Sequence, residues 1–132
     1  LQAHKNFITG KVLVYVLAET VQQIAGEHWN YENEVQLSGA LGSGITYRET
    51  PLGKHISDIS ILVENRLKDL HSCYIPCIAW NDTAAMVKEW HEGEHVTLKG
   101  KLQSRAYTKR ISEQQEEQRT AYEVSIYAIG KA

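Results

Sequence analysis

The chain has 132 residues and a mass of 15.0 kDa, with 14 Lys+Arg against 16 Asp+Glu for a formal net charge of −2. At 42% hydrophobic and 23% charged residues it has the length of one domain and enough apolar side chains for a single core. That excludes intrinsic disorder, collagen-like repeats and a disulfide-stapled miniprotein. The longest apolar stretch, residues 12–18, falls far short of the roughly 20 residues of a membrane span. The sequence pI of about 6.3 argues, on its own, against a partner as anionic as nucleic acid. Cys73 and Cys77 lie four apart in a segment that reads as a strand. Their Cα atoms would then be about 13 Å apart, which excludes a mutual disulfide. With no secretory signal at the start, both read as reduced thiols of a cytoplasmic protein. A start at Leu1 rather than Met points to a fragment or a processed product.

The total charge hides a gradient. Residues 1–34 carry two Lys+Arg and four Asp+Glu, residues 35–112 ten and eight, and residues 113–132 two and four, giving −2, +2 and −2. A mildly basic middle sits between acidic flanks.

In chain order, residues 11–18 alternate Val12, Val14, Val16 with Leu13, Tyr15, Leu17 and read as a strand, followed by a polar run to Tyr31. This alternation resembles residues 122–128, so residues 1–32 are expected to be an extension: the last strand of a truncated preceding module plus a linker. The domain proper is expected over residues 33–132. Residues 33–41 place Val35, Leu37, Gly39 and Leu41 on one face, the period of a half-buried strand. After Gly42-Ser43-Gly44 comes a short extended piece to Tyr47. Thr50-Pro51-Leu52-Gly53 then suits a type I turn. Residues 56–66 alternate Ser57, Ile59, Ile61, Val63 against Asp58, Ser60, Leu62, Glu64, Arg66. Residues 74–80 form a third strand with Ile75, Cys77 and Ala79 toward the core and Tyr74, Pro76, Ile78 and Trp80 outside. Asn81-Asp82 offers an N-cap to a short helix with Met86, Val87 and Trp90 on its inner side and Gly93 as its stop. A long strand over residues 95–109 sets Val96, Leu98, Gly100, Leu102, Ser104 and Ala106 against Thr97, Lys99, Lys101, Gln103, Arg105, Tyr107 and Lys109. Residues 110–119 read as a mobile loop, and residues 121–129 as the last strand. Five strands with one short helix between the third and fourth predict an all-β fold, a five-stranded OB-fold Greek-key barrel.

The outer face of that barrel carries rings beside cations: Tyr74, Trp80 and Tyr107 with Arg66, Lys99, Lys101, Arg105 and Lys109. Unstacked bases offer ring faces and a phosphate per nucleotide, and stacking is worth about 1–3 kcal/mol per base. Duplex bases already stack on each other, so such a face suits open strands. His91-Glu92-Gly93-Glu94-His95 matches the zinc-peptidase pattern H-E-x-x-H, with His55 and His71 as the other histidines weighed for a third ligand. Gly93 interrupts the continuous helix that the pattern needs, so no metal site is expected. His4 and His28 read as solvated. No nucleophile, paired-carboxylate or phosphate-loop pattern supports catalysis, and no cofactor is expected.

Asn33-Glu34-Val35-Gln36-Leu37-Ser38-Gly39, Tyr47-Arg48-Glu49-Thr50-Pro51-Leu52-Gly53, Tyr74-Ile75-Pro76-Cys77-Ile78-Ala79-Trp80 and Val96 through Tyr107 occur in register. With Ala121 to Val124 they cover roughly residues 33–129 and resemble the bacterial single-stranded DNA-binding protein family, most closely a variant with two modules in tandem. The resemblance implies a non-enzymatic protein that coats single-stranded DNA in replication, recombination and repair, as a homo-oligomer, a dimer or tetramer. It implies stacking at Tyr74, Trp80 and Tyr107 and basic contacts at Arg48, Arg66 and Arg105. The family's acidic C-terminal tail, which docks other replication proteins, is expected to be absent after Ala132, with other replication proteins left as possible partners. The alternative is an OB-fold module that uses its apolar outer face to bind protein.

Overall fold

The computed structural model describes residues 1–23, 31–64 and 72–132. The chain is mostly β with one short helix: β1 (Gln2–Lys5), β2 (Val12–Tyr15), β3 (Val35–Leu41), β4 (Thr46–Glu49), β5 (His55–Val63), β6 (Cys73–Trp80), α1 (Asn81–Val87), β7 (His95–Arg110) and β8 (Glu116–Lys131). β1 and β2 form a two-stranded sheet, and the rest pair in the order β3-β7-β8-β6-β5-β4. β3 also meets β5, through Ala40 opposite Leu62 and Leu41 opposite Ile61, which curls the sheet back on itself. Most pairs are antiparallel. β6 and β8 run parallel, with Cys77 beside Val124 and Ile78 beside Ser125.

The curl buries one face of every long strand. Ile61, Ile75, Ala79, Val87 and Val124 are fully buried, with Leu41, Ile59, Cys77, Val96 and Leu98 beside them. The inward parity of β5 is the expected one, since Ser57, Ile59, Ile61 and Val63 are all buried. Ser57 is satisfied there by donating to the Ala84 carbonyl at 2.8 Å, which ties β5 to α1. Ladder pairing between β3 and β7 begins at Val35 opposite Gly100, and Asn33 prolongs it. Its carboxamide donates to the Leu102 carbonyl at 2.7 Å and accepts from the Leu102 N–H at 3.0 Å, as a backbone pair would.

Several expectations are corrected. Thr46–Glu49 is a strand of its own, so the large sheet has six strands. Residues 116–119 are not loop: β7 and β8 pair from Arg110 opposite Glu116 inward, with a single register shift between Lys99 and Gly100, leaving only residues 111–115 as the turn. Polar residues hide this because the ribbon projects beyond the core and buries nothing that would impose an apolar period. Ile78, paired in the sheet with Asp58 on one side and Ser125 on the other, is fully buried rather than outside. Asn81 does not cap α1 with its side chain. It takes φ 50° and Trp80 occupies the N-cap position. α1 ends at Val87, well before Gly93, and Met86 is exposed while Ala84 and Val87 are buried. Trp90 packs partly buried against the core. His91-Glu92-Gly93-Glu94-His95 therefore lies in a turn, with Gly93 at φ 87° and His95 opening β7. Among the described residues no group of three or more His, Cys, Asp or Glu could hold a metal ion. No described helix is long and apolar enough to cross a membrane. The strand expected over residues 11–18 is the shorter β2, and its partner is β1, whose residues carry no alternation that announces a strand.

The curl demands a missing side chain at two points. A Cβ on Gly39 would collide with the Leu62 carbonyl, and one on Gly100 with the Ser125 carbonyl. Gly39→Ala is expected to lower stability by about 1–3 kcal/mol through a forced backbone shift, whereas Gly130→Ala, whose Cβ meets nothing within 4 Å, leaves it near wild type. Equal urea midpoints for the two variants would contradict this account of the curl. Cys77 and Cys73 are free thiols. Burial, with the Glu123 carboxylate as a smaller contribution, pushes the Cys77 thiol far up. In the native protein a maleimide is expected to label half-buried Cys73 long before Cys77, whose labelling should wait for unfolding; comparable rates would refute it.

Candidate nucleic-acid interface

The parity of β5, β6, β8 and β7 that points away from the core carries the rings and cations, although Ile56, Ile78, Glu123 and Ser125 within it are buried. Register fixes its layout. On β6, Tyr74, Pro76 and Trp80 stand opposite Leu62, Ser60 and Ile56 of β5. On the other side Lys101 faces Ser125, Gln103 faces Glu123, Arg105 faces Ala121, Tyr107 faces Arg119 and Lys109 faces Glu117.

Trp80 is the best fixed of the rings. Its indole N–H donates to Ser125 Oγ at 2.9 Å, and the Lys54 ammonium lies 5.8 Å from the ring centre. One edge is tied to the sheet, so little ordering is left to be lost when a flat ligand stacks on it. Tyr74, six residues away on the same strand and so about 20 Å along it, is 52% exposed and leans over the backbone at Gly42. Tyr107 sits on the projecting ribbon, half-buried, with the Arg105 guanidinium 5.9 Å from its ring centre.

The cations divide into two sets. Arg48 on edge strand β4 donates from Nε to Asp58 Oδ2 at 2.9 Å. Arg105 donates from Nε to Glu123 Oε1 at 2.9 Å and from Nη2 to Oε2 at 3.3 Å, while Gln103 Nε2 donates to the same carboxylate at 3.2 Å. These bonds raise the Arg105 pKa further, the hydrogen bond to Glu123 being the main cause. Both guanidinium groups thus face the site partly neutralised. Lys99, Lys101 and Lys109 are exposed. Lys101 and Lys109 lie on the face described, whereas Lys99 sits where β7 turns toward β3, opposite Gln36 and Ala128. Arg66 lies outside the described residues.

Local pattern does not single out Lys54, Ser125, Asp58, Glu123, Arg119 and Lys11 as neighbours of these groups. Arg119 has a readable signal, since it follows the parity of Ala121, Glu123 and Ser125, but the polar run around it reads as a loop. Lys11 has none, because nothing local places the N-terminal segment on this face. Lys11 Nζ lies 3.3 Å from Glu117 Oε1, and that bond is the main cause holding the Glu117 carboxyl below its usual range. Apart from the face, Tyr47 stacks on His55 at 5.7 Å between centroids under the Lys88 ammonium, and Lys131 binds Glu94 at 2.9 Å, which lowers the Glu94 pKa.

Glu123 is 4% exposed, and Arg105 is the cation that pairs with it. Arg105→Ala is expected to cost on the order of 3 kcal/mol of stability by stranding a buried carboxylate, far more than Lys101→Ala. Adding Glu123→Gln to Arg105→Ala should recover much of the loss in urea denaturation. A double variant no more stable than the single one would show that the pair is not what holds this part of the sheet.

No curated protein matches the chain. Among solved structures it is similar to the single-stranded DNA binding protein from Thermus aquaticus, with a TM-score of 0.59 and 20% identity over 76% of this chain. The chain matches only 40% of that protein's length. At this identity the likeness shows the fold. The family model described as "Single-strand binding protein family" matches residues 32–130, three quarters of the sequence and all strands from β3 to β7 with nearly all of β8, and on that match the chain belongs to the single-strand binding protein family.

Proposed function

We propose that this protein binds single-stranded DNA without strong sequence preference and protects it during replication, recombination or repair, without catalysis. The five longer strands of the large sheet, β3 and β5 to β8, form the OB barrel in this reading, with β4 as an added edge, α1 between the third and fourth, and residues 33–132 as the binding domain. Bases stack on Trp80, Tyr74 and Tyr107. Phosphates are followed by Lys99, Lys101 and Lys109, and by Arg48, Arg66 and Arg105. The observation that carries the reading is Trp80: a large ring clamped at its N–H by Ser125 on a sheet face lined by cations. A ring needed only for packing would be buried, and one left merely exposed would not be tethered.

Oligomerisation fits the same picture. Among the described residues β3 pairs over 35–39 with β7 alone, and its meeting with β5 is confined to Ala40 and Leu41, an arrangement that suits pairing of this edge with a second copy. We propose a dimer or tetramer on that basis, acting in the cytoplasm on the nucleoid.

Because Arg48 and Arg105 are already paired, stacking outweighs charge in the proposed affinity. Titration with oligo-dT is expected to quench tryptophan fluorescence. Trp80→Ala should weaken binding by about 1–3 kcal/mol. The slope of log K against log salt should stay shallow, at about −1.4 to −2.1 for two or three phosphates at 0.7 each. Unchanged affinity in Trp80→Ala would refute the stacking role. No oligonucleotide shift at any salt, together with a stable complex with another protein, would favour the protein-docking alternative.

A further inference from the structure

The β1–β2 hairpin lies across the ribbon end of this face. Its base is fixed in the fold: Gln2 and Val14 are buried, Leu1 and Ala3 pack against the core, and Cys73 Sγ donates to Gln2 Oε1 at 3.6 Å. Its tip is a built turn. Asn6 Oδ1 accepts from the N–H groups of Ile8 at 2.9 Å and Thr9 at 3.2 Å, and the Gly10 N–H donates to the Asn6 carbonyl at 2.7 Å. Between hairpin and sheet runs a groove of about 800 Å³, with His4, Lys11 and Leu13 on one wall and Pro76, Arg105 and Tyr107 on the other. Clefts of about 300–1,000 Å³ take one drug-sized ligand, the scale of a nucleotide or two and far below that of a duplex.

Arg119 lines the same groove and is the unusual residue of the face. Its side chain is only 9% exposed. Nη2 donates to the Thr9 carbonyl at 3.2 Å and lies 3.4 Å from Glu117 Oε2. Nε and Nη1 are buried and have no acceptor among the described residues. Arg48 and Arg105 spend their donors on carboxylates, whereas Arg119 holds two in reserve. Glu117 is shared with Lys11, so the pocket around Arg119 keeps a net positive charge, reinforced by Lys109, whose Nζ lies over Gly10. A buried guanidinium with unused N–H groups is costly unless an anion completes it, and a phosphodiester oxygen is the acceptor it lacks.

We propose that Arg119 anchors a backbone phosphate of the bound strand beneath the β1–β2 hairpin, so that the strand is enclosed between hairpin and sheet instead of lying on an open face. The idea rests on the reading of this face as a single-strand site. The hairpin's anchored base and weakly held tip suit it: ion pairs such as Lys11–Glu117 are individually feeble, so the tip can lift to admit a strand from the side and close over it.

Two measurements test the proposal. Arg119→Gln should weaken oligo-dT binding about tenfold and make the salt slope shallower by about 0.7, one phosphate's worth. For the second, Lys11→Cys and Glu117→Cys are combined with Cys73→Ser and joined by a short bismaleimide. Joined after loading on circular single-stranded DNA, the protein should stay on the circle at high salt, and joined beforehand it should fail to load. Release of the circle at high salt after joining, or wild-type affinity and slope in a folded Arg119→Gln, overturns the enclosure. Failure of the unmodified protein to bind oligo-dT at all would instead sink the reading of the face itself.

Discussion

The closeness of two backbone approaches, Gly39 against the Leu62 carbonyl and Gly100 against the Ser125 carbonyl, governs the rest of this structure. A six-stranded sheet that stayed open would leave both faces exposed to solvent or need a second layer to cover one. Curling it until β3 meets β5 turns one parity of each strand into a common interior and points the other away from it. The hydrophobic contribution of Ile61, Ile75, Leu98 and Val124 and the layout of the outer face both follow from that closure. So does the placement of β8 between β7 and β6, which brings Ser125 to Trp80 and Glu123 to Arg105.

The exterior is organised by neutralisation as much as by charge. Asp58 and Glu123 hold the guanidinium groups of Arg48 and Arg105 in fixed positions. Paired in this way they are pre-oriented, but they offer less to a polyanion than free cations would. A net charge of −2 and the proposed nucleic-acid face are therefore compatible. The acidic residues that set the total are partly the ones that position the arginines, and stacking on the rings, as proposed, would depend little on salt.

Local pattern carried a good deal of this. The alternation in residues 35–41 and 56–63 and the outward parity of Tyr74, Trp80, Lys101, Arg105 and Tyr107 were all legible, because a strand with one buried face writes a period of two into the sequence. The reading failed where burial did not follow parity. Ile78 lies on the parity of Tyr74 and Trp80 yet is fully buried, and residues 116–119 are a strand with no apolar signal because the ribbon there packs on no core. The helix boundaries slipped for a related reason: Asn81 looked like a cap by residue type, but the path of the chain leaving β6 puts it at a positive φ.

The sequence by itself determined the core-forming alternation of β3, β5 and most of β6 and β7, and the family, since side-chain period and motif spacing are local properties that survive whatever the chain does elsewhere. Only the tertiary structure decided which charges are free. Arg48, Arg105 and Arg119 are alike as letters, yet two are engaged by carboxylates ten and eighteen residues away and the third is buried under a hairpin more than a hundred residues distant. Such pairings are long-range contacts, set by how the sheet curls and where the N-terminal hairpin comes to rest.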